Sequence, residues 1–68
     1  MTSKMYEFRV DGHLPEQERE AFEDLSVEEV PAGLVLRGEV IDESHLHGII
    51  ARFRAYGLII VSAQPVRE

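Results

Sequence analysis

A chain of 68 residues with no cysteine has room for one small domain, and it has neither disulfides nor thiolate metal sites to staple it. Its net charge of −6 argues against nucleic acid or anionic lipid as a partner. It contains no apolar run long enough to span a membrane and no apolar signal segment at its start, and a cysteine-free composition fits the cytoplasm.

Residues 1–4 read as a polar tail. In the next stretch Tyr6, Phe8 and Val10 alternate with Glu7 and Arg9, the period of a half-buried strand, which Asp11-Gly12 ends. His13-Leu14-Pro15-Glu16 opens a helix, with Pro15 suited to its first position. Ala21, Phe22 and Leu25 give that helix a short apolar face. Glu16 and Glu20 repel each other across one turn and weaken it.

Ser26 to Val30 reads as a short strand, Pro31-Ala32-Gly33 as a turn, and Leu34 to Val40 as a second strand. Seven acidic residues and one basic residue, Arg19, lie between Glu16 and Glu29. This run is either a solvated face or a docking face for a basic partner.

The strongest pattern is a helix over residues 42–56. Leu46, Ile49, Ile50 and Phe53 fall at i, i+3, i+4 and i+7, one buried stripe. Asp42 stands at the N-cap, Glu43 at the positive end of the dipole, and Arg52 and Arg54 toward the negative end. Gly57 is placed to stop the helix in a left-handed conformation, with Leu58 folding back on it. Gly48, Ala51 and Ala55 share the face opposite the stripe. They form either a smooth interface groove or a plain solvated surface. Leu58 to Ala63 is the last strand, rich in β-branched residues, and residues 65–68 read as a second tail.

The order is β-α-β-β-α-β over a single α+β domain, residues 5–64. It predicts a ferredoxin-like two-layer sandwich, an antiparallel sheet with two helices on one face. Tyr6, Phe8, Leu34, Leu36, Ile59 and Val61 are expected to face the helices. Glu7, Arg9, Val35, Arg37, Ile60 and Ser62 are expected on the outer face. The first and third strands are expected to run parallel as neighbours. That would bring Asp11, His13, Asp42, Glu43 and His45 together at one end of the sheet.

Five stretches carry a family resemblance: Tyr6-Glu7-Phe8-Arg9-Val10, Gly12-His13-Leu14, Val35-Leu36-Arg37-Gly38, Leu46-His47-Gly48 and Gly57-Leu58. Through them the chain from about Met5 to Ser62 resembles a family of short bacterial proteins, mainly actinobacterial, with no established activity. The resemblance implies a bacterial cytosolic protein of unknown function and transfers no catalytic residue. Pro15 stands where relatives often carry a serine or threonine cap.

Chemistry-bearing motifs are sparse. Imidazole and carboxylate at His13, Asp42, Glu43 and His45 suit a ligand site, a metal or an acid/base pair. They equally suit capping and packing. His45 and His47 lie roughly 200° apart around a helix, so they form no helical metal pair. The glycines are scattered, and no serine lies in a nucleophile elbow. No cofactor or metal is expected.

The leading reading is a small non-catalytic interaction or regulatory module with a protein partner or a homodimer. The sheet edges over 26–30 and 58–64 offer pairing groups for it. The alternatives are a ligand- or metal-sensing domain, or a small enzyme, using the His13/His45 end.

Overall fold

The computed structural model describes residues 3–31 and 33–66. Residues 1, 2, 67 and 68 of the expected tails and residue 32 of the expected turn lie outside them. Strand β1 spans Lys4–Asp11, β2 Ser26–Val30, β3 Gly33–Val40 and β4 Ile59–Pro65, with a 3-10 helix at Glu16–Phe22 and one α-helix, α1, at Glu43–Ala55. The four strands form one antiparallel sheet in the order β2-β3-β1-β4. The domain is therefore α+β.

The expected β-α-β-β-α-β pattern is met only in that coarse form, because the first helical element is 3-10 rather than α. Glu18 and Leu25 each bond the carbonyl three residues back. Pro15 lies just before the segment instead of opening it, and supplies no side-chain cap. Within the segment only Phe22 is buried. With no cap, a like-charge pair at Glu16/Glu20 and one apolar anchor, nothing favours a full α-helix over the tighter turn.

β1 and β3 pair antiparallel, from Lys4 opposite Val40 to Val10 opposite Leu34. This corrects the parallel arrangement expected for them. The 3-10 segment carries the chain back, so β2 runs in the direction of β1. The tight β2–β3 hairpin, Val30 opposite Gly33, then reverses it.

Both helical elements cover one face of the sheet. Phe8, Val10, Leu34, Leu36 and Val40 from the sheet pack with Leu14, Phe22, Leu25, Ile49, Phe53 and Leu58. The Phe53 ring is the hub, edge-on to Phe8 at 5.2 Å and stacked with Phe22 at 5.4 Å. On the outer face Arg37 bonds Glu7 at 3.0 Å and Glu28 at 3.1 Å, bridging β1, β3 and β2. Val35 lies on that face too, yet is only 4% exposed.

β4 departs from the expected alternation. Ile60 packs on the core, while Ile59 and Val61 are 68% and 62% exposed. Arg9 pairs with Ser62 and Val10 with Ile60, so Val61 has no partner on β1. This bulge resets the parity of the strand. Val10 faces inward, so its partner Ile60 does too.

Candidate functional site

α1 is built as its sequence dictates. The Asp42 carboxylate accepts the His45 amide at 2.8 Å, and the His45 ring Nδ1 accepts the Ile41 amide at 3.0 Å. The two residues cap the helix start from both sides. At the other end Leu58 donates to the Phe53 carbonyl at 2.9 Å and Gly57 to that of Arg54 at 3.0 Å. Gly57 has φ +74°, so the helix ends in a Schellman turn with Leu58 buried.

The antiparallel ladder separates the predicted cluster. His13 is exposed in the loop after β1, at the end where Val10 meets Leu34. Asp42, Glu43 and His45 sit beyond Val40, at the end where β3 meets Lys4. Six residue steps of strand, about 20 Å, lie between these two ends. Among the described residues no three His, Cys, Asp or Glu side chains are grouped to hold a metal ion. Asp42 and His45 are engaged in the cap, and Glu43 is an exposed first-turn residue.

His45 also lines an open cleft of about 680 Å³ with Met5, Glu23, Asp24, Glu39 and Ile41. The Arg52 guanidinium grips Asp24 with two bonds, at 3.1 and 2.9 Å. It also donates to the Ala21 carbonyl at 2.7 Å and lies 5.4 Å from the Phe22 ring centre. The hydrogen bond from Arg52 holds the Asp24 carboxyl below its ordinary range. This arrangement ties α1 to the 3-10 segment, with its groups already paired to one another.

The predicted interface residues Gly48, Ala51 and Ala55 are all exposed, and the Cβ position of Gly48 has nothing within 4 Å. They leave a smooth, exposed helix face.

β4 is a sheet edge, as its sequence implied, but the facing of its side chains departs from the expected one. From Gly57 to Val66 the chain carries no charged residue, a signal visible in the sequence. Which side chains of that run face outward was not visible, because Ile59-Ile60-Val61 has no alternation to set the parity. Beside the edge, Ile50 and Arg54 of α1 line a groove of about 470 Å³ with Ile59 and Ile60. The other edge strand, β2, carries Glu28 and Glu29, and Glu29 pairs with Arg19.

These features define a small α+β domain with an antiparallel sheet, one helix-covered face and an uncharged edge. The chain belongs to the domain-of-unknown-function family DUF8691, whose profile matches residues 5–64. No curated protein and no solved structure matches it. None of the helices among the described residues is long and apolar enough to cross a membrane.

Proposed function

We propose that this chain is a non-catalytic interaction module that binds by strand addition along β4, in the bacterial cytoplasmic setting the resemblance implies. The observation that carries this is the edge itself: seven uncharged strand residues with Ile59 and Val61 standing out into solvent. An edge strand presents unpaired backbone donors and acceptors, and proteins commonly guard such edges with charge. β2 carries charge in Glu28 and Glu29, and β4 carries none. An added strand would gain main-chain bonds along 59–64 and apolar contact with Ile59 and Val61. Pro65, which has no amide proton, bounds the pairing segment.

The test is a titration of the labelled protein with an uncharged valine/threonine peptide, N-methylated on alternate residues so that it cannot stack on itself. Amide shifts concentrated at residues 59–64 are expected. Shifts confined to β2 or the 48/51/55 face, or none at all, reject the reading.

A further inference from the structure

We infer that the strand added to β4 is the β4 of a second copy of this chain, giving a two-fold dimer with one continuous eight-stranded sheet. This rests on the strand-addition reading above and names its occupant.

Self-complementarity favours the second copy. An antiparallel strand pairs with its own copy about a two-fold axis, so each residue meets one set by the register. Centring the axis between Val61 and Ser62 sets Ile60 opposite Ala63 of the partner subunit and Ile59 opposite Gln64 of the partner subunit, each pair on one face of the sheet because of the bulge. Large side chains then stand beside smaller ones, and no charge meets its like. The same operation on β2 sets Glu28 or Glu29 against acidic neighbours, which is unfavourable for directly opposed residues. Self-pairing is thus permitted at one edge and opposed at the other.

The charge distribution agrees. The seven acidic residues between Glu16 and Glu29 lie on the 3-10 segment, on β2 and between them. β2 and β4 are the two outer strands of the sheet. Joining two copies of net charge −6 through β4 places their acidic flanks at the far ends of the assembly, where repulsion is weakest. A face-to-face dimer through the outer sheet face would instead bury the Glu7–Arg37–Glu28 network, at a desolvation cost. Docking β4 onto β2 of another copy would place the uncharged strand against the acidic one and leave both ends open to further addition.

A six-residue strand interface is at the small end of stable contacts, so association belongs in the micromolar range. Sedimentation velocity from about 10 µM to 1 mM resolves this range. The expected result is a monomer–dimer equilibrium. Ile59→Lys and Val61→Lys should each weaken it at least about tenfold, while Gly48→Leu leaves it unchanged. Both lysines would stand where the side chain is already in solvent, and amide spectra check that each variant keeps its fold.

A monomer throughout, or a dimer that Gly48→Leu disrupts and the lysine variants do not, overturns the inference. The peptide titration reports separately. Shifts at 59–64 in a monomeric protein would leave strand addition standing and remove only the second copy as its occupant.

Discussion

Arg52 reaches from α1 to the segment just before β2. It joins the Asp24 carboxylate, the Ala21 carbonyl and the Phe22 ring in one contact. Arg52→Ala should destabilise the fold by about 1–2 kcal/mol, the range for charged hydrogen bonds discounted for partial exposure. The pH dependence has a definite sign. Arg52 favours the ionised carboxylate, so the folded pKa of Asp24 lies below its unfolded value. Its contribution is complete above the ordinary carboxylate range and fades as pH falls through the folded value. Urea denaturation of Asp24→Asn should show a stability deficit at neutral pH that narrows below about pH 4. His45 offers a second residue-scale test. Accepting the Ile41 amide at Nδ1 leaves the ring proton on Nε2. Long-range nitrogen–proton spectra should report that tautomer at neutral pH. Asp42→Ala should cost about 1 kcal/mol by loss of the cap.

At the scale of elements, two glycines have opposite duties. Gly38 of β3 lies where Leu25 crosses the sheet: an added Cβ would sit 2.2 Å from Leu25 Cδ2 and 3.0 Å from the Asp24 carbonyl oxygen. Gly38→Ala should push the β2 entry away and cost about 1–3 kcal/mol, as overpacking does. Gly48 has open space around it in the middle of α1. Gly48→Ala should stabilise the helix by up to about 1 kcal/mol, read as a rise in thermal midpoint. α1 was legible in the sequence because cap, stripe and stop are local and agree, and Asp42, Phe53 and Gly57 all do what their spacing implied. The helical segment after β1 was legible only as helical. Ala21, Phe22 and Leu25 fit a 3-10 turn as well as an α-turn, and the choice falls to capping and charge.

On the scale of the whole molecule, the direction of β3 decides what can be near what. It sends His13 to one end of the sheet and Asp42, Glu43 and His45 to the other. Zinc at equimolar ratio should therefore fail to shift the resonances of His13 and His45 together. The assignment of strands was legible from alternation and turns. The neighbourhood of the candidate site was not, because it depends on a non-local ladder that no short window contains. The core has a single centre. Phe53→Ala removes the ring that Phe8 and Phe22 both touch, and a loss of about 3–5 kcal/mol is comparable to the whole stability of a domain this small. Far-ultraviolet circular dichroism should find that variant largely unfolded at room temperature.

The bulge at Val61 makes β4 one residue longer than its neighbour requires. Without Val61, Ser62 would still face Arg9 and Ile60 would still face Val10 in an unbroken ladder. Removing Ile60 or Ser62 instead would let Val61 take the vacated place and close the same ladder. Single deletions at Ile60, Val61 and Ser62 should therefore be tolerated, while deletions within β3, whose ladders carry no bulge, should not. The spare residue makes length variation at this point of the chain almost silent to the core, and it confines the consequences to the edge where Val61 is displayed.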